Sequence, residues 1–234
     1  MRISHRYKFV FFSFPKAGSS SVRLVLNPYT DIKLVRLRQV TPEHPFYDHM
    51  LPVELKAVFE QRGWAWDEYY KFITVRNPWA RLVSVYAAIL DRGFPGRVRD
   101  AANWASKRFR GRGLDPDIEG FRAWVRTVET SGAGGGGKEH HGWRRKGTWS
   151  TSAFVCDASG KELVDEVIRL EDAHERLPQL ALQLKLPNPE SVRLPHKNRH
   201  EHAHYSAYYD DATAALVADL YPEDIARFHY RFGG

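Results

Sequence analysis

The chain has a single cysteine, Cys156, so it forms no internal disulfide and cannot build a cysteine-rich zinc or iron–sulfur site. It also lacks any apolar run approaching the roughly 20 residues needed to cross a bilayer. Met1 to Phe14 is too short, and too charged early on, for a secretion signal. No internal repeat is present, and the 43% hydrophobic and 13% aromatic content excludes disorder and collagen-like structure. What remains is a chain of 234 residues, long enough to bury a core without covalent staples and expected to form one domain over 1–234. The sparse cysteine and the missing targeting segments point to a reducing, cytoplasmic setting with no membrane insertion.

The net charge of +7 hides an asymmetry. Residues 1–90 carry 13 basic and 7 acidic groups, residues 91–150 again 13 and 7, and residues 151–234 carry 9 and 14. A basic front raises the local concentration of anionic ligands, so an anion site is expected in the first two thirds. A merely solvated basic face and a nucleic-acid partner are the less specific readings of the same charge.

Tyr7 to Phe14 (YKFVFFSF) is a nearly continuous apolar run ending at a proline, which predicts a buried strand. A helix opens at Ser20, with Val22 and Leu26 on one side. Pro52 to Gln61 repeats apolar residues at helical spacing, with Pro52 in the first turn and Gly63 past the end. Tyr70 to Val75 predicts a second strand, after which Asn77-Pro78 supplies a cap and a first-turn proline for a helix to about Leu90. Trp79, Leu82, Val83, Tyr86 and Ile89 form its apolar stripe. Two strand-loop-helix units with almost wholly apolar strands predict an α/β fold: a parallel sheet covered on both faces by helices.

Residues 91–118 read as a basic insertion, followed by a helix over about Ile118 to Val128 and the linker SGAGGGG from Ser131 to Gly137, expected to be mobile. Strands are predicted at Thr148 to Cys156 and Val164 to Leu170, and an amphipathic helix at Asp172 to Leu186 that Pro178 interrupts or offsets. Helices at Asp210 to Leu220 and Pro222 to Tyr230 make the last third mostly helical.

Phe14-Pro15-Lys16-Ala17-Gly18-Ser19-Ser20-Ser21 falls at the carboxyl end of a strand and the amino end of a helix, where α/β sheets hold ligands. Backbone N–H groups and the helix dipole there attract an anion, usually a phosphate. Gly18 permits close backbone approach, Lys16 adds a charge and three serines add hydroxyls; an ordinary tight turn is the plainer alternative. The lysine precedes the glycine, so the order is not that of a Walker A loop. In the second unit Arg76 ends the strand and Ser84 lies eight residues later on the helix. A planar guanidinium and a hydroxyl suit a second anion. Together the two units suggest a ligand with two separated phosphates.

FPKAGSSSVR at Phe14 to Arg23 and VRNPWARLVSVY at Val75 to Tyr86 resemble the 5′-phosphosulfate and 3′-phosphate motifs of the sulfotransferases that use 3′-phosphoadenosine 5′-phosphosulfate (PAPS). The carbohydrate branch is the most similar: His49 precedes a matching helix, Arg169-Leu170-Glu171-Asp172 matches a further motif, and the Tyr208 to Phe232 tail recurs. The resemblance covers most of the chain outside about 91–150. Ala17 and Ser19 depart from the usual loop residues, and the segment after Arg92 has no counterpart.

The resemblance implies a P-loop-like three-layer fold, PAPS as donor, adenosine 3′,5′-bisphosphate (PAP) as product and no metal. It assigns the 5′-phosphosulfate to Pro15, Lys16, Ala17, Gly18, Ser19, Ser20 and Ser21, with Lys16 also stabilising the leaving group, and the 3′-phosphate to Arg76 and Ser84. His49 is the expected general base, its residue type being suited to neutral pH. Lys197, Asn198 and Arg199 are expected to fold over the nucleotide. The histidines at 196, 200, 202 and 204 do not have the spacing of a recognised zinc ligand set. In the insertion and beyond, Arg108, Arg110, Arg112, Trp143, Arg144 and Arg145 combine cations with flat apolar surfaces, which suits a glycan acceptor, anionic above all. Because the chain as given begins almost at its first strand, a bacterial cytosolic member is expected. A nucleotide-dependent kinase of related fold and a non-catalytic polyanion or nucleic-acid binder are the competing readings.

Overall fold

The computed structural model describes residues 1–91, 117–128, 148–195 and 204–234. In chain order its strands are β1 (Arg2–Ser4), β2 (Phe9–Phe12), β3 (Tyr70–Val75) and β4 (Glu166–Arg169). Its α-helices are α1 (Ser19–Leu26), α2 (Pro52–Gln61), α3 (Pro78–Asp91), α4 (Ile118–Val125), α5 (Thr151–Val155), α6 (Ala173–Gln183), α7 (Asp211–Leu220) and α8 (Pro222–Phe228). The chain forms two compact units, Met1–Arg76 with Gly132–Lys197, and Asn77–Ser131 with Asn198–Gly234.

The first unit is built on a four-stranded sheet of order β1-β2-β3-β4, in which β1 runs antiparallel to β2 and the other pairs are parallel. Pairing of Phe12 with Ile73 and of Val75 with Arg169 brings the carboxyl ends of three parallel strands side by side. Side chains alternate between the faces. Phe9, Phe11, Phe72 and Ile168 share one core with Val22 and Leu26 of α1 and with Ala173, Leu177, Leu180 and Ala181 of α6. On the other face Phe12 lies 6.4 Å from Trp66, on which Phe59 of α2 packs edge-on at 5.3 Å. Helices therefore cover both faces, and the α/β class with a mostly parallel central sheet holds. Each buried phenylalanine contributes roughly 1.5–3 kcal/mol, so both helical layers are tied to β2 and β3.

In the second unit Asn77 caps α3, its Oδ1 accepting from the N–H of Trp79 at 3.1 Å and of Ala80 at 3.5 Å. Trp79, Leu82, Tyr86 and Ile89 are buried as the helical stripe requires, but Val85 is buried in place of Val83. Tyr209 donates to the Trp79 carbonyl at 2.9 Å, and Phe121 of α4 packs against both Tyr86 and Tyr209.

Some expectations need correcting. Thr148 to Cys156 is not a strand: Ser150 accepts from the Ala153 N–H at 3.2 Å and starts helix α5, so a capping hydroxyl overrides a β-prone run. The strand expected over Tyr7 to Phe14 shortens to β2, and Arg2–Ser4 adds an edge strand. Pro178 lies inside α6 without ending it. Among the described residues no helix is long and apolar enough to cross a membrane.

Candidate active site at the carboxyl ends of the parallel strands

The segment Ser13–Gly18 links β2 to α1. Lys16 and Gly18 both take left-handed backbone conformations, with φ of 63° and 73°. At Gly18 that conformation costs nothing, and the space is closed as well: a Cβ there would lie 2.3 Å from Leu170 Cδ1. Leu170, just past β4, donates its N–H to the Val75 carbonyl at 2.7 Å, so the second and third strand ends fix the residue that roofs the glycine.

Three carbonyls of this loop are engaged by side chains. Ser13 O accepts from His49 Nδ1 at 2.7 Å, Phe14 O from the Ser19 hydroxyl at 2.6 Å, and Ala17 O from the Thr74 hydroxyl at 2.6 Å. Gly18 O accepts the first bonds of α1, from the N–H of Ser21 at 3.0 Å and of Val22 at 3.2 Å. The N–H groups of Ser19 and Ser20 precede those first bonds and belong to the positive end of the helix. Ser19 is buried and its hydroxyl is turned inward, so it ties the loop together and does not face outward as the sequence suggested. Ser20 is exposed, and its hydroxyl oxygen accepts from Arg23 at 3.2 Å. Ser21 and Lys16 are half-buried.

His49 joins the loop through Ser13. The carbonyl accepts, so Nδ1 carries the proton and the ring's basic lone pair is on Nε2. Burial lowers the His49 pKa to about 4, with the Met1 amino group and Arg23 adding to the fall and the Ser13 carbonyl and Asp48 opposing it. Next to it Asp48 pairs with Arg23 of α1 and with the Met1 amino group. Burial alone would raise the Asp48 carboxyl; the Met1 amino group and Arg23 outweigh it and hold it well below the usual carboxylate range. Arg23 also reaches the Ser19 carbonyl at 3.3 Å. The turn carrying His49 has φ of 63° at that residue and is braced by Glu54 of α2, which accepts from the Tyr47 hydroxyl at 2.8 Å and the Leu51 N–H at 2.7 Å.

Arg76 directly follows β3, half-buried, at the strand end beside that of β2. Ser84 lies two turns into α3 of the second unit, also half-buried. Lys197, Asn198, Arg199, Arg108, Arg110, Arg112, Trp143, Arg144 and Arg145 lie outside the described residues, as do His196, His200 and His202. His204 is exposed and bonded to Ser206 at 2.8 Å. Among the described residues no group of three or more metal-ligating side chains is gathered. Sequence reading gave no part to Thr74 and Asp48, and named Arg23 and Leu170 only within motifs, without these contacts. The one visible signal was Thr74 itself, a hydroxyl in the apolar second half of β3.

With this geometry in place, comparison with known proteins is specific. The model of the sulfotransferase family matches residues 1–231, and the chain belongs to that family. No curated protein and no solved structure matches it. Sulfuryl transfer to an acceptor substrate is accordingly the activity of this chain's class, a transferase of the EC 2.8.2 type.

Proposed function

We propose that the chain moves the sulfuryl group of PAPS to a hydroxyl of a carbohydrate acceptor and releases adenosine 3′,5′-bisphosphate. The observation carrying this reading is the β2–α1 loop, in which three carbonyl oxygens are bonded back by His49, Ser19 and Thr74 while Lys16 and the start of α1 supply positive charge. A loop with these carbonyl oxygens engaged suits a phosphate or sulfate, and the donor of this family carries both. When bound, PAPS supplies an activated sulfuryl group on a phosphate leaving group, and the reading assigns no metal to the step.

The protein's share is positioning and charge. The backbone from Pro15 through Ala17 and Gly18 to Ser19, with the Ser20 and Ser21 hydroxyls, holds the 5′ end, and Lys16 offsets the negative charge that grows on the leaving phosphate. The family motif assigns Arg76 and Ser84 to the 3′-phosphate, and Lys197, Asn198 and Arg199 to the nucleotide. His49 Nε2 takes the acceptor hydroxyl's proton as the acceptor oxygen bonds to sulfur and the sulfur–phosphate oxygen bond breaks. A ring neutral at pH 7 is in the accepting form, and an anion arriving at the loop stabilises its protonated product.

An anionic glycan is the acceptor we favour, met by Arg108, Arg110, Arg112, Trp143, Arg144 and Arg145, which offer paired charges and stacking surfaces. The test is incubation with sulfate-labelled PAPS and a panel of neutral and uronate-bearing glycans. Label in a uronate-bearing glycan, matched by bisphosphate release and cut about 100- to 1,000-fold in kcat by Lys16→Ala, is expected. Label in neutral sugars alone removes the anionic preference. No label in any glycan, with PAPS bound, removes the carbohydrate acceptor.

A further inference from the structure

β3 is buried from Lys71 to Val75 and apolar there except for Lys71 and Thr74, and Thr74, next to its carboxyl end, has no exposure. It shares a face with Tyr70 and Phe72, the face over which α1 packs. A hydroxyl with no exposure requires a partner, and here the partner is the Ala17 carbonyl at 2.6 Å, on a different strand-loop-helix unit 57 residues away. The Ala17–Gly18 peptide is trans, so its C=O and N–H point in opposite directions. Holding the carbonyl against Thr74 of β3 therefore turns the Gly18 N–H the opposite way, away from Thr74. Without the tie, the peptide plane is free to rotate and can present its negative end to an incoming anion.

We propose that Thr74 is a positioning residue for the donor: its hydroxyl sets the Ala17–Gly18 peptide plane and so assembles the 5′-phosphate half of the site. Ser19 plays the matching part at the Phe14 carbonyl, which leaves the loop held at both ends by hydroxyls that do not themselves touch the ligand. Arg76 lies two residues beyond Thr74 on the same strand exit, so one short segment both aims the 5′ loop and carries the arginine assigned to the 3′-phosphate. This inference rests on the donor reading above.

The test compares the full chain with Thr74→Val, which keeps the shape and removes the hydroxyl, and with Thr74→Ser, which keeps the hydroxyl. Adenosine 3′,5′-bisphosphate and adenosine 3′-monophosphate, which has no 5′-phosphate, are titrated into each. Losing one buried tie of this kind should raise the bisphosphate Kd about tenfold in Thr74→Val. Adenosine 3′-monophosphate should bind it and the wild type alike, and Thr74→Ser should bind bisphosphate within about twofold of the wild type. A Thr74→Val protein that loses thermal stability but keeps the bisphosphate Kd reduces Thr74 to a structural residue and overturns the inference. Equal weakening of both nucleotides overturns it too. Should Thr74→Val fail to fold, Ser19→Ala and Thr74→Ser decide: the first must weaken the bisphosphate selectively and the second must not. Failure of the wild type to bind bisphosphate is the separate outcome that removes the donor reading itself.

Discussion

At His49 the backbone bond from Nδ1 to Ser13 O settles which nitrogen holds the proton, and burial settles the charge. A histidine in water titrates near 6.5; here the ring is neutral until about pH 4. The folded pKa lies below the unfolded one, so between pH 6.5 and 4 the unfolded chain binds the proton first. Stability from this site is complete above about pH 6.5 and is lost as the pH falls toward 4. For catalysis the consequence is an acid limb of kcat/KM, which reports the free enzyme, near pH 4 to 5 in place of 6.5. His49→Ala should lose about 100- to 10,000-fold in kcat, far more than the loss of up to about tenfold in bisphosphate affinity expected from removing its tie to the Ser13 carbonyl. A pH profile whose acid limb stays near 6.5, or a variant that turns over normally, assigns the base elsewhere.

Among the elements, the loop between β2 and α1 carries the largest structural demand. Gly18→Ala places a methyl group in a left-handed backbone position and 2.3 Å from Leu170, a contact that Leu170 relieves only by shifting. Strain and overpacking together should cost about 2–3 kcal/mol. In a chain of this size that corresponds to a fall in Tm of roughly 4–12 °C, accompanied by weaker bisphosphate binding. An unchanged Tm would mean that the turn does not need glycine. The helices and strands that position this loop were legible because their signals are local: apolar strands, Pro52 and Pro78 in first turns, Asn77 as a cap. Thr151–Val155 was misread because its β-prone residues outweighed the single serine that caps it, and Arg2–Ser4 is too short to show a period. The tie from Thr74 to Ala17 was not legible at all, since it joins residues 57 apart in the chain and depends on the register of β2 and β3.

At the scale of the whole molecule, the family was readable from two motifs, each holding the residue types an anion demands, and the family model's span of residues 1–231 agrees. The point where the chain leaves the first unit, at Asn77, was not readable because nothing in composition changes there, whereas its return at Gly132 falls in the glycine-rich linker. The charge asymmetry along the chain, with 13 basic against 7 acidic groups in each of the first two segments, belongs to the same reading: both nucleotide-phosphate motifs and the proposed acceptor residues fall in it. On the proposed function, this basic front holds a nucleotide with phosphates at its 3′ and 5′ positions. Calorimetric titration of the wild type and Arg76→Ala with adenosine 3′,5′-bisphosphate, and separately with ATP, decides whether it does. Bisphosphate should bind tightly and weaken at least tenfold in Arg76→Ala, with ATP far weaker in both; equal binding of ATP, or no binding of either nucleotide, rules the donor site out and favours a kinase or a polyanion binder.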